Sequence, residues 1–166
     1  MTRLALIAIT SITLAACGQG ETGSATASPA KPPRPALSPA EAAAVVAGLP
    51  APYNQGDLEN GRRVFARCRS CHTINEGGSN MVGPNLYGVF GRPAGGLDGY
   101  NYSPVIRAAG FEWDAARLDH WLENPRTFLK GTKMTFAGLP DATDRRDVIA
   151  FLKVETGYAP PPSAQP

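Results

Sequence analysis

Cys68-Arg69-Ser70-Cys71-His72 gathers two thiols and an imidazole into five residues of a 166-residue chain that has only three Cys and two His. Cys-x-x-Cys followed at once by His reads as an attachment site for a c-type haem. Two thiols three residues apart at the end of a helix reach the two vinyl groups of one macrocycle. The adjoining His is then held under the iron, where its neutral imidazole offers one lone pair and its other N–H can be fixed by a backbone carbonyl. Two other chemistries use such a pair. A thioredoxin-like dithiol expects a βαβ pattern around it, which this sequence does not show. A structural zinc site needs four nitrogen or sulfur ligands, and His120 and Cys17, the remaining candidates, do not complete one. The expectation is one haem c, attached covalently through Cys68 and Cys71, with His72 as an axial ligand.

The second axial ligand must come from Met81, Met134 or His120. Met81 follows His72 by nine residues and leaves on the same side of the haem. His120 belongs to a helical pattern and reads as a surface residue. Met134 ends Lys130-Gly131-Thr132-Lys133-Met134, a Gly-bearing loop between two helical stretches that can fold over the opposite face. Met134 is therefore assigned, and thioether ligation opposite His raises the reduction potential.

Cys17 belongs to a different chemistry. Arg3 precedes an uncharged run at 4–16, within the range of a secretory h-region and shorter than the ~18–20 residues of a membrane span. It ends in Leu14-Ala15-Ala16-Cys17, which resembles the lipobox of bacterial lipoproteins. That resemblance implies a signal peptide at 1–16, a diacylglycerol on Cys17, and a protein lipid-anchored on the periplasmic side of a membrane. Residues 17–52 are rich in Gly, Ser, Thr, Ala and Pro and read as a tether. Within it, Ser38-Pro39-Ala40-Glu41 has capping-box spacing with Pro at the first helical position, which predicts a short helix ending at Gly48. Residues 159–166 read as a disordered tail. Sixteen Lys/Arg against fourteen Asp/Glu argue against a general nucleic-acid binder.

The elements that must position the motif are legible from spacing. Leu58, Val64 and Phe65 recur at roughly helical intervals after Asp57, which suits a helix N-terminus. A second stretch runs from Asp114 to Glu123 and is expected to end before Pro125. A third runs from Thr143 to Thr156, with Val148, Ile149, Phe151 and Leu152, and stops at Gly157. Between Thr73 and Phe111, Gly and Pro are frequent and no period holds. So long an irregular stretch fits a compact domain only if something else fills the core, and a macrocycle would do so.

With these motifs in order, residues from about 56 to 156 resemble the class I cytochrome c family of the mitochondrial and α-proteobacterial type. The resemblance rests on Gly56–Phe65 before Cys-x-x-Cys-His, Gly83-Pro84-Asn85-Leu86, Gly91-Arg92, Gly99-Tyr100-Asn101-Tyr102-Ser103, Phe111-Glu112-Trp113, Leu122-Glu123-Asn124-Pro125, Gly131–Met134 and Asp147–Leu152. It implies a mainly α domain at 53–158, three to five helices and loops wrapped around one haem. Pro84 would accept the N–H of His72. Arg92, Tyr102 and Trp113 would face the propionates, and Trp121 and Phe136 would complete the haem-contacting set. Trp121 stands where the family commonly has Tyr, and Asn80 where it has a loop-bracing His.

The resemblance also implies an electron-transfer protein rather than an enzyme. With His72 and Met134 both bound, the iron has no open position, which disfavours oxygen or peroxide chemistry. The expected role is a monomeric one-electron carrier between quinol–cytochrome c reductase and cytochrome c oxidase. Arg67, Arg69, Lys130 and Lys133 flank the ligand motifs and could steer docking onto acidic patches. From Gly56 onward, however, thirteen basic residues face twelve acidic ones. The alternatives are a haem subunit of a periplasmic dehydrogenase or nitrogen-oxide reductase, or a gas sensor.

Overall fold

The computed structural model describes residues 36–157. The signal expected at 1–16, Cys17 and the tail at 159–166 lie outside the described residues. Six helices appear among those described: α1 Pro39–Ala47, α2 Leu58–Phe65, α3 Pro104–Arg107, α4 Ala115–Glu123, α5 Pro125–Phe128 and α6 Ala142–Thr156, with a 3₁₀ turn at Tyr53–Gln55 between α1 and α2. One isolated bridge, Pro93 with Glu112, is the only β pairing among them.

Side-chain caps start the longer helices, satisfying N–H groups that have no partner within the helix. The Asp57 carboxylate accepts from the N–H groups of Glu59 and Asn60, and Asp141 does the same for Thr143 and Asp144. Asp114 caps α4. Asn124 ends α4 and then caps α5 through Thr127, so Pro125 does not stop the chain but opens a new turn.

α6 is the hub. Val148, Ile149 and Ala150 are fully buried, and α1, α2, α4 and the 3₁₀ turn all pack on it. At the α2–α6 crossing, Gly61 lets the backbones approach. A Cβ there would run into the carbonyl oxygen of Asp147 and lie 2.6 Å from Cβ of Phe151. Phe65 and Phe151 stack one turn further on, with ring centroids 5.5 Å apart. The buried Asp147 carboxylate locks the crossing: Oδ1 accepts from the Asp57 N–H at 2.9 Å and Oδ2 from Asn60 Nδ2 at 2.9 Å, with Arg146 beside it.

The expectation that residues 17–52 form a tether, with the domain starting at 53, is corrected by this packing. The predicted helix forms with its full Ser38–Glu41 capping box, but it is not free. Ala42, Val45, Val46 and Leu49 are buried with Tyr53 in the main core. Burying Val45, Val46 and Leu49 contributes about 1.5–3 kcal/mol each, and the Ala residues among them lose no side-chain rotamer freedom on ordering. The folded unit therefore includes residues from near Ser38 onward, and α3 and α5, not foreseen from spacing, bring the helices to six among the described residues.

The stretch between α2 and α4 is irregular apart from α3, as expected, and side-chain hydrogen bonds hold its first part. Buried Asn85 organises it. Its Nδ2 donates to Thr73 Oγ1 at 2.6 Å and to the Asn75 carbonyl at 3.0 Å, and its Oδ1 accepts from the Tyr87 N–H. Asn80 accepts the Asn85 N–H at 2.9 Å, so it does brace the two loop segments.

Candidate functional site

Between α2, α4, α6 and the loops lies a cavity of about 310 Å³, inside the size range of small-molecule and cofactor sites. Cys68, Cys71, His72, Pro84, Arg92, Tyr102, Trp113, Trp121, Met134 and Phe136 all line it. These residues span 69 positions of sequence and come from every part of the domain.

His72 is set by the turn that follows α2. The N–H groups of Cys71 and His72 both donate to the Cys68 carbonyl at 3.0 Å, which curls the motif into one turn. His72 Nδ1 lies 2.7 Å from the Pro84 carbonyl oxygen. A carbonyl can only accept, so Nδ1 carries the proton and Nε2 keeps its lone pair. Burial lowers the His72 pKa, partly offset by that hydrogen bond, and so favours the neutral, ligating form. Gly83 packs against the ring; a Cβ there would overlap Cε1 and lie 2.6 Å from Nδ1. The two thiols are half-buried. Burial pushes Cys68 up to about 11, against a smaller opposing effect of Arg67.

Met134 comes from the loop between α5 and α6. Its N–H donates to Thr132 Oγ1 at 3.2 Å, and Lys133 Nζ donates to the Asn101 carbonyl at 3.0 Å, tying the loop to the 99–103 segment. Of the three candidates for a second axial ligand, only Met134 lines the cavity. Met81 is 47% exposed, and His120 is exposed on α4. Trp113 and Trp121 form an edge-to-face pair with centroids 5.4 Å apart and wall one side.

The polar end of the cavity holds Arg92, Tyr102 and Ser103. Arg92 already donates to the carbonyls of Asn85 at 3.1 Å and Tyr87 at 3.2 Å, and burial lowers its pKa. Burial raises Tyr102. Ser103, which sequence reasoning did not single out as a site residue, is only 2% exposed, and its hydroxyl has no hydrogen-bond partner within the chain. A buried unpaired hydroxyl costs free energy unless something in the cavity answers it. Its place directly before Pro104, at the N-cap of α3, is a usable signal for a structural role, but nothing in sequence marks the missing partner.

The basic residues divide. Arg67 and Lys133 line the cavity, whereas Arg69 and Lys130 do not; all four are exposed. Lys133 spends its ammonium on loop carbonyls, so it is a latch as well as a surface charge.

The donor set fits a flat, largely apolar macrocycle carrying a metal. Two thiols sit beside one aromatic and aliphatic wall, an imidazole Nε2 and a thioether line the same space, and an unanswered hydroxyl waits at the polar end. Among the described residues, no group of three or more His, Cys, Asp or Glu side chains converges on another metal position.

The chain is similar to known proteins. The family model described as Cytochrome c matches residues 58–154. Cytochrome c from Stellaria longipes is 44% identical over 105 residues, covering 63% of this chain and 97% of that protein. Cytochrome c2 from Rhodomicrobium vannielii is 44% identical over 105 residues, covering 63% of this chain and 84% of its own. In structure the chain is similar to cytochrome cH from Methylobacterium extorquens, with a TM-score of 0.56 and 43% identity over 59% of this chain and 98% of that one. Helix α1 and the 3₁₀ turn precede residues 58–154, the span that the family model matches.

Proposed function

The chain belongs to the cytochrome c family, and from that premise we propose that it is a membrane-tethered respiratory carrier whose iron is held by His72 and Met134. It is an electron-transfer protein, not an enzyme, and it carries one haem c attached through Cys68 and Cys71. When bound, that group supplies a one-electron ferric/ferrous couple.

The remaining work falls to the chain's own residues. Pro84 fixes the His72 tautomer so that Nε2 is the free nitrogen. Thr132 and Lys133 hold the loop that presents Met134. Trp113, Trp121, Leu118, Leu122, Val148 and Leu152 keep water from the cavity. Arg92, Tyr102 and Ser103 supply donors at its polar end. His72 and Met134 would hold the iron from this chain, and the group would then supply outer-sphere one-electron transfer. The observation that carries this reading is the His72 Nδ1–Pro84 hydrogen bond in a cavity that Met134 also lines.

Its location and partners rest on sequence. The lipobox-like Leu14–Cys17 supports a lipid anchor on the periplasmic side. Arg67, Arg69, Lys130 and Lys133 support docking onto acidic surfaces of quinol–cytochrome c reductase and cytochrome c oxidase. A redox-difference spectrum of purified membranes, combined with mass spectrometry of the mature N-terminus, tests haem and lipid together. Loss of membrane respiration when the anchor is removed, with an unchanged spectrum, is the expected result. Equal respiratory flux from a soluble form would sink the tethered shuttle.

A further inference from the structure

We propose that Tyr100 is a positioning residue for His72, acting through the Val82 carbonyl from a strap at 99–103 whose other side is held by the Met134 loop. The inference rests on the assignment of His72 as an axial ligand.

Two features of the segment at 81–84 control the His72 ring. The Pro84 carbonyl fixes Nδ1 at 2.7 Å, and Gly83 packs against the ring. The segment is a tight turn, with the Met81 N–H on the Gly83 carbonyl at 2.9 Å. Its inner side is tied down where the Gly83 N–H donates to the Cys71 carbonyl at 2.8 Å. Burial does not hold its outer side, since Met81 is 47% and Val82 80% exposed. What reaches that side is Tyr100, eighteen residues after Val82, whose hydroxyl donates to the Val82 carbonyl at 2.6 Å. That distance is at the short end of the range for an O–H···O bond.

Tyr100 is itself held. Its half-buried ring meets that of Tyr102 edge-to-face with centroids 4.7 Å apart, and its carbonyl accepts from the Tyr102 N–H at 3.1 Å. Gly99, at φ +73°, supplies the left-handed bend that turns the chain into it. From the other side, Lys133 Nζ donates to the carbonyls of Asn101 at 3.0 Å and Tyr102 at 3.4 Å. Gly131 lies so near the start of α3 that an added Cβ would sit 3.3 Å from Val105 Cγ1. One short strap thus bonds the His72 side through Tyr100 and the Met134 loop through the next two carbonyls.

The consequence is electronic. A hydrogen bond from Nδ1 makes the imidazole a more basic donor, and a more basic donor favours the ferric over the ferrous state. Hydrogen bonding behind an axial ligand is therefore a lever on the reduction potential. The Val82 carbonyl belongs to the peptide that leads into Gly83, and Pro84 comes next. Without the Tyr100 hydroxyl the turn gains freedom, and the bond between His72 and Pro84 weakens. Water answers the carbonyl of the exposed Val82, so the fold itself loses little.

The test uses the haem-loaded full chain. Solvent exchange of the His72 Nδ1 proton, read by NMR in the reduced state, reports the bond to Pro84, and a redox titration reports its effect on the iron. Tyr100→Phe keeps the ring and removes the donor. It should speed exchange roughly three- to tenfold, the worth of one hydrogen bond. It should also raise the ferrous-to-ferric ratio at fixed ambient potential roughly two- to fivefold, an upward shift of about 20–40 mV at about 59 mV per tenfold. Its denaturant midpoint should stay close to that of the parent. Val46→Ala opens a gap in the core on α1, away from the cavity lining; it should lower the midpoint yet leave exchange and potential at the parent values. Absence of either change in Tyr100→Phe overturns the proposal; a shift in potential alone would mean that the phenol acts on the cofactor directly. Equal acceleration in Val46→Ala also overturns it, because exchange would then follow overall stability. If the His72 ring protons of the parent lack the upfield ring-current shift of an axial imidazole, the axial assignment itself has failed.

Discussion

At Gly83 a side chain would have to occupy the space of the His72 ring. Gly83→Ala is therefore expected to push the imidazole off the Pro84 carbonyl and to cost about 1–3 kcal/mol, the usual range for overpacking. A denaturant midpoint measured on the haem-loaded protein checks it. Met134→Ala should abolish the red band of the oxidised form and lower the reduction potential, since the axial thioether is what raises it; an unchanged band would move the assignment to another residue. At this scale the chemistry was open to sequence reading because the covalent motif is local. Cys68, Cys71 and His72 lie within one turn, and their spacing alone states what they can hold. Ser103 was not open to it. Whether a hydroxyl is paired depends on neighbours from distant segments, and Ser103 lacks one only because the chain closes around it.

Among the elements, the two helices that cross at Gly61 set the frame. Gly61→Ala should separate α2 from α6, since the backbone carbonyl of Asp147 has nowhere to go, and a loss of roughly 3 kcal/mol is expected from thermal or denaturant unfolding. The N-caps give an acid signature. Asp57 and Asp141 are held below the ordinary aspartate value of 3.8, first by the N–H groups of Asn60 and Asp144 respectively. A carboxyl depressed on folding adds stability that is fully present above its unfolded value and is lost as pH falls through its folded value. The starts of α2 and α6 should thus hold above pH ~4 and fray below it. Asp57→Asn keeps an accepting oxygen that does not titrate, so helical content measured by circular dichroism should fall less steeply with acid. Stretches at 57–67, 114–123 and 143–156 were visible as helices because their apolar residues repeat. Helix α3 was not, because a single turn contains too few residues to show a period. Its Ser103-Pro104 start was the usable clue.

For the molecule as a whole, residues from Ala42 to Tyr53 belong to the folded body. Removing residues up to 35 should leave the unfolding temperature of the haem protein unchanged. Removing residues up to 52 strips Ala42, Val45, Val46 and Leu49 from α6 and should cost roughly 2–4 kcal/mol after the ordering entropy is returned. Equal stability of the two truncations would show that α1 is dispensable packing.

Sequence by itself determined the cofactor, its two thiol attachments and the three repeating helices, because each is written in residues close together along the chain. It also held the spacing of Ala42, Val45, Val46 and Leu49, an apolar stripe at helical intervals, but the Ala- and Pro-rich composition around it read as linker. Only the tertiary structure decided that this stripe has a partner. An amphipathic helix is stable or not according to the surface it meets, and here that surface is α6, on which α2 and α4 also pack. The same holds for Arg145: it is ordinary in sequence, and its guanidinium meets Asp119 and the carbonyls of Leu139 and Pro140 only where α4, α6 and the loop before α6 converge.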